Sequence, residues 1–226
     1  HLTQTPENGF GETPLKKYRR HIFLLHPNKV VIYDELEANE KVRWDWLLHS
    51  PVKFDINPAA SILTTVNKEK GFSSVVQLFC EQEAAITQTD KYAAPPNHAD
   101  AQRGEDFTDP WSLTASFGPS RNNRILTIIQ VEADGRQAVQ IMREGNTFRC
   151  GEWVIEAELN AKRPGRLYIR NSRNNAVFSY GDKKPEINGE LYSCKEKDAS
   201  VLFDCVNGEW TVQEMGDQRV QTMGKW

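Results

Sequence analysis

The chain contains no apolar run approaching the roughly 18 residues that a bilayer-crossing helix needs, so the sequence offers no membrane partner. It also lacks an excess of charge of either sign: 28 Lys and Arg stand against 31 Asp and Glu, a net charge of -3. That balance provides no global field to gather nucleic acid or an acidic membrane, and any polyanion would have to be bound locally. Cysteine is scarce, with Cys80, Cys150, Cys194 and Cys205 the only four. Their spacing contains no CxxC pair, which argues against a zinc ribbon or a thioredoxin-type site. Two readings of them stay open, a Cys194–Cys205 disulfide across a hairpin spanning residues 190–205 or buried free thiols. A Gly-rich phosphate loop, a GxSxG elbow and an HExxH pair are all missing. A two-carboxylate glycosidase pair has no such signature, and spacing alone neither excludes nor locates one. The chain opens on His1 rather than Met, which reads as a processed or excised piece whose targeting signal, if any, is gone.

A helical period is missing too, since no segment holds it over three turns. What is there instead is a succession of short apolar alternations. They fall at residues 18–25, 30–34, 41–50, 60–66, 74–81, 85–89, 111–117 and 124–132, and then at 138–143, 147–150, 152–159, 166–171, 176–180, 190–194, 201–205, 210–214 and 219–223. Asn-Pro, Lys-Gly, Asp-Gly, Pro-Gly, Asn-Gly and Gly-Asp pairs between them are the punctuation of tight turns. The expected fold is therefore all-β, a large antiparallel β-sandwich of supersandwich-like size with little or no helix. Residues 1–17 read as an N-terminal lead-in loop and 18–226 as the sandwich domain, with a loop excursion at 92–110.

The stretch Lys41-Val42-Arg43-Trp44-Asp45-Trp46-Leu47-Leu48-His49-Ser50 carries different chemistry on its two faces. As a strand it turns Val42, Trp44, Trp46 and Leu48 to one side, and Arg43, Asp45, Leu47 and His49 to the other. The second face holds the materials of a salt bridge, a metal shell or a sugar-binding ridge, with Asp45 as a carboxylate partner to fix the His49 tautomer. The basic run Lys16-Lys17-Tyr18-Arg19-Arg20-His21 suits an anionic polysaccharide, because Arg and Lys pair with carboxylate and sulfate while Tyr stacks on a sugar ring. Tyr18, Arg19 and Arg20 are accordingly the candidate substrate-binding residues, although a strand entrance of this kind is more simply a solvated edge. Asn97-His98-Ala99-Asp100 sets a His and an Asp two apart, without a third ligand nearby. Trp111, Trp153 and Trp210 are expected in the core.

Residues 16–50, KKYRRHIFLLHPNKVVIYDELEANEKVRWDWLLHS, resemble the β-sandwich portion of the heparinase II/III-like polysaccharide lyases. The likeness is tightest over Val31-Ile32-Tyr33-Asp34-Glu35-Leu36 and Trp46-Leu47-Leu48-His49-Ser50. Over residues 51–226 it is a likeness of strand rhythm and of segments such as Pro110-Trp111-Ser112-Leu113. The resemblance implies the C-terminal part of a larger bacterial enzyme, periplasmic or secreted, whose N-terminal α/α toroid domain is a partner in the parent chain. Such enzymes cleave uronate-containing, acidic polysaccharides by β-elimination: a base takes the proton α to the carboxylate, polar groups neutralise that carboxylate, and an acid protonates the leaving oxygen. The family's catalytic residues map to no position here, so the catalytic set of this chain is none and the chain alone is expected to be inactive. The His of WLLHS helps hold a structural zinc in some members, which gives His49 a metal role in the full-length protein; this chain by itself requires no cofactor. The runner-up class is a non-catalytic carbohydrate-binding or structural sandwich, marked by exposed aromatic pairs near Tyr18 and Trp44, and a complete small enzyme with an unseen carboxylate pair stands third.

Overall fold

The computed structural model describes residues 13–91, 110–133, 135–171, 176–182, 185–187, 190–195, 199–206, 208–215 and 220–223. Among these the regular structure is antiparallel strand, joined by turns and short irregular segments, with one 3-10 turn at Pro58–Ala60. The all-β architecture expected from the short alternations and their turns is the one observed. Contacts divide the chain into two compact units, His1–Ala138 and Val139–Trp226.

The first unit contains β1 (Leu15–Leu25), β2 (Lys29–Ser50), β3 (Asp55–Asn57), β4 (Ile62–Asn67), β5 (Phe72–Phe79), β6 (Ala84–Thr89) and β7 (Trp111–Ala133). They form one sheet in the order β1-β2-β7-β5-β4-β3, with β6 also on β7. Two of these strands are far longer than the usual five or six residues. β2 runs 22 residues and β7 runs 23, pairing almost from end to end. The sequence divides each of them: residues 35–40 read as a connection, and 118–123 as a gap between strands. Both are instead strand, and the pairing slips there, between Glu37 and Val42 and again before Trp44. Pro119 lies in the slipped stretch, where a residue without an N–H costs the ladder nothing. On the far edge of β7, β5 pairs residues 126–133 and β6 pairs 112–117, so that ribbon breaks at the same level.

Trp44, Trp46, Leu113, Ala115 and Phe117 from the distal halves of β2 and β7 share a core with Leu63, Val76, Leu78 and Ile125 from the proximal half. Leu63, Leu113 and Ala115 have no exposure at all, and each buried Leu of this kind is worth about 1.5–3 kcal/mol. The alternation Val42, Trp44, Trp46, Leu48 was the sequence signature of this face. It also fixes the register, since a slip by one residue would turn the tryptophans to water.

The second unit contains β8 (Met142–Glu144), β9 (Thr147–Cys150), β10 (Trp153–Ala157), β11 (Leu167–Asn171), β12 (Ala176–Tyr180), β13 (Glu186–Ile187), β14 (Glu190–Leu191), β15 (Ser200–Val206), β16 (Glu209–Met215) and β17 (Val220–Met223). Eight of them make one sheet in the order β17-β16-β15-β12-β11-β10-β9-β8, while β13 and β14 pair only with each other. The hairpin expected over residues 190–205 is therefore not formed. β15 already has β12 on one edge and β16 on the other, so the 190–195 segment lies across its face instead. There Tyr192 meets Phe203 edge-on at 5.3 Å and joins Val177, Val201 and Val212 in a small core. Cys205 pairs with Trp210 in the ladder, and all four cysteines are free thiols, of which Cys150 is buried and Cys80, Cys194 and Cys205 are half-buried. Of the strand expected at 138–143, only Met142 and Arg143 are extended, because the partner β9 is four residues long. The lead-in ends earlier than expected, with β1 beginning at Leu15. The excursion at 92–110, including Asn97-His98-Ala99-Asp100, lies outside the described residues except for Pro110.

Candidate functional site

The hairpin β1–β2 carries the residues on which a functional reading rests. The register sets Arg20 opposite Asp34, Arg19 opposite Glu35 and Tyr18 opposite Leu36. Successive residues face opposite sides of a strand, so Tyr18 and Arg20 share one face and Arg19 takes the other. The three candidate substrate-binding residues are thus not brought together. Arg20 closes a two-pronged pair on Asp34, Nε to Oδ1 at 2.6 Å and Nη2 to Oδ2 at 2.9 Å. Its guanidinium also sits 5.6 Å from the Tyr18 ring centre. The Asp34 side chain is 1% exposed and that of Arg20 33%.

The other face repeats the pattern. Lys17 donates to Glu35 Oε2 at 3.0 Å, and Arg124 of β7 approaches Glu35 Oε1 at 3.4 Å. Glu35 is buried, and a carboxylate taken out of water in this way is tolerable only when paired and hydrogen-bonded. Lys16 pairs with Glu37 nearer the strand end. The basic run of β1 is therefore largely matched, residue against residue, by Asp34, Glu35 and Glu37 of β2. His21 stacks on Tyr33 and Phe23, each with ring centres 6.3 Å apart. Burial drives its pKa down to about 4; Glu35 opposes that shift, and Arg19 and Lys17 add to it. At neutral pH His21 is an uncharged core imidazole.

The tryptophan strand shows the two faces read from its sequence. Trp44 and Trp46 are buried, and Arg43, Asp45, Leu47 and His49 are exposed. Of the three chemistries this outer face offered, a salt bridge is present: Arg43 Nη2 lies 3.0 Å from Asp45 Oδ2, and Ser116 donates to Asp45 Oδ1 at 2.7 Å. His49 stands four residues farther along, about 13 Å from Asp45 on an extended chain, and forms no bond to it. Its ladder partner is Ser112. Among the described residues no three His, Cys, Asp or Glu side chains converge as a metal shell. One imidazole does not satisfy the four-coordinate demand of structural zinc, so the residues present do not fit that ion.

Behind this face, Trp44 Nε1 donates to Ser120 while Trp46 Nε1 finds no partner. The buried positions of Trp44 and Trp46 leave no exposed aromatic pair there for a sugar platform. Trp153 is buried as expected, and Trp111 and Trp210 are half-buried. The sequence reading missed Asp34 and Glu35 as the partners of the basic run. The signal was present, because the two runs stand at mirror positions about the turn at residues 26–28.

No protein-family model matches the chain, and no curated protein matches it. What fold and side chains define is a class: an antiparallel all-β protein of two units, whose best-marked hairpin uses its charges internally.

Proposed function

We propose that the chain is the β-sandwich portion of a heparinase II/III-like polysaccharide lyase, supporting the substrate cleft in a parent enzyme whose base and acid lie outside these residues. The observation that carries the reading is where the resembling segment falls. Residues 16–50 coincide with one hairpin, β1–β2, and Lys16, Lys17, Arg20, Asp34, Glu35 and Glu37 are spent on cross-strand pairs rather than gathered at an open site. A supporting module needs that kind of rigid, internally satisfied charge; an eliminase centre needs a base and an acid left free to exchange protons. On this reading the parent acts on acidic polysaccharides, is periplasmic or secreted, and brings an α/α toroid against these sheets. Any structural zinc would take its remaining ligands from elsewhere in that parent.

The test is an elimination assay on heparan, chondroitin and alginate, read as absorbance of the new double bond. The parent enzyme should cleave at least one of these glycans and residues 1–226 alone should cleave none. A parent without eliminase activity on any uronate glycan refutes the assignment.

A further inference from the structure

The second unit carries a patch of the opposite character, two guanidinium groups that form no ion pair among the described residues, although Glu156 and Glu186 lie near enough to Tyr168 to act on its phenol. Arg149 of β9 stands opposite Val154 of β10, and Val154 stands opposite Arg170 of β11. Residues directly opposed in an antiparallel ladder share a face, so the two arginines flank Val154 at about 10 Å, twice the interstrand spacing. Arg149 is exposed and Arg170 half-exposed. Among the described residues neither has an ion-pair or hydrogen-bond partner, whereas Arg163 and Arg166 in the same unit reach Glu158 and Asp182 at 3.5 Å. Farther along the same face, the segment bearing Tyr192 and Cys194 packs on Val177, Val201, Phe203 and Val212. Tyr168 borders that covered part, two residues before Arg170. Burial raises the pKa of its phenol, which therefore remains a hydrogen-bond donor at neutral pH.

We propose that Arg149, Arg170 and Tyr168 form a binding face for an anionic polysaccharide, the guanidiniums taking carboxylate or sulfate groups and the phenol a sugar hydroxyl. The choice of glycan rests on the lyase reading; the choice of residues does not. Charge spacing separates this ligand from nucleic acid. Two cations about 10 Å apart, with Glu156 on the same face opposite Tyr168, suit a polymer of widely spaced charges. A duplex presenting one negative charge per roughly 1.7 Å of axis would meet that carboxylate repeatedly. A guanidinium is also the side chain whose planar fork fits a carboxylate or sulfate with two parallel bonds.

Electrophoresis of the purified chain through gels containing polygalacturonate, heparin, neutral dextran or DNA tests the face. The carboxylated or the sulfated glycan should retard the protein, and which of the two does so identifies the anion. Dextran and DNA should not. Arg149→Gln and Arg170→Gln keep much of the aliphatic stem over Val154, and each should weaken retardation about tenfold, the loss expected for one charge-assisted contact. Arg121→Gln, at an exposed arginine of the first unit, should change nothing, and circular dichroism confirms that each variant is folded. Absence of retardation, equal retardation by dextran or DNA, or full retardation of the double variant overturns the proposal. Glycan binding that survives the double variant refutes this face and leaves the lyase reading standing; an eliminase-negative parent whose glycan binding depends on these arginines refutes that reading alone.

Discussion

Replacing Arg20 by Gln tests whether the basic run of β1 is architecture. The substitution removes both prongs from a carboxylate that is 1% exposed. Breaking a fully buried pair by deleting one partner costs about 3–5 kcal/mol. Water reaches a third of the Arg20 side chain, so the remaining Asp34 charge is partly solvated in the variant, and the expected cost is about 2 kcal/mol at neutral pH. The pH dependence makes the prediction specific. Burial raises the Asp34 pKa above its ordinary value of 3.8, and Arg20 opposes that rise. A carboxyl with a raised folded pKa binds its proton more tightly folded than unfolded, so its contribution to stability declines as pH climbs from the unfolded pKa through the folded one. Without Arg20 the folded pKa rises further and the decline steepens. The difference between wild type and Arg20→Gln should thus be largest near pH 7 and shrink toward pH 4, where Asp34 takes up a proton and needs no cation.

Urea midpoints at pH 7 and pH 4 measure this directly. In an Asp34→Asn background, Arg20→Gln should cost less than about 0.5 kcal/mol, because no buried charge is left stranded. An unchanged midpoint at pH 7 would refute the reasoning, as would a deficit that stays constant down to pH 4. Either result would return Arg20 to the solvent and to the list of residues available for a ligand.

Gly181 has φ +77 and a Cβ there would stand 2.0 Å from the Gly165 carbonyl oxygen, so Gly181→Ala should cost about 3 kcal/mol or more by thermal unfolding. Gly208→Ala, at φ +82 with nothing within 4 Å, should pay only the left-handed backbone penalty of about 1–2 kcal/mol. His21 has its pKa pushed from 6.5 to about 4 by burial. An imidazole that is harder to protonate when folded contributes full stability above pH 6.5, and this is lost as pH falls toward 4, by about 3 kcal/mol at most. His21→Gln should flatten that slope in denaturant titrations, and an unchanged slope would rule His21 out as its source. The Thr127 hydroxyl has no partner at zero exposure. Thr127→Val keeps the shape and removes the unsatisfied group, so its urea midpoint should rise by the equivalent of about 1 kcal/mol; a lower midpoint would mean that the hydroxyl is satisfied.

What the sequence made legible was whatever repeats at the period of a strand. Val42, Trp44, Trp46 and Leu48 on one side and Arg43, Asp45 and His49 on the other are local alternation, and the structure shows both faces as read. Continuity was not legible. Residues 35–40 and 118–123 look like breaks because the alternation lapses, yet the chain stays extended and only the pairing slips, between Glu37 and Val42 and again before Trp44. The slip is a property of the pairing and so involves the partner strand as well as the strand itself. Position within a sheet was hidden for a similar reason. Residues 190–194 alternate like a strand, but β15 has no free edge to offer them. Of the candidate site, Tyr18, Arg19 and Arg20 could be named from residue type, while their division between two faces required only the strand rule, and their engagement required knowing which strand stands opposite.

Those pairings also bear on what a resemblance carried by this hairpin can mean. Asp34 is buried against Arg20, and Glu35 against Lys17 and Arg124. Each is a buried charge that costs about 2 kcal/mol or more to leave without its partner. A motif composed of such residues specifies how two strands meet, so proteins sharing it share a hairpin first and a substrate only by further argument. Chemistry that recognises a ligand has to come from groups the fold leaves unsatisfied. In the described part of the second unit Arg149 and Arg170 meet that condition, and neither lies in the segment that resembles the lyases. If the lyase proposal holds and polyanion binding maps to them, specificity and the resembling segment occupy different units of this chain, and that segment alone would mislead a search for the glycan.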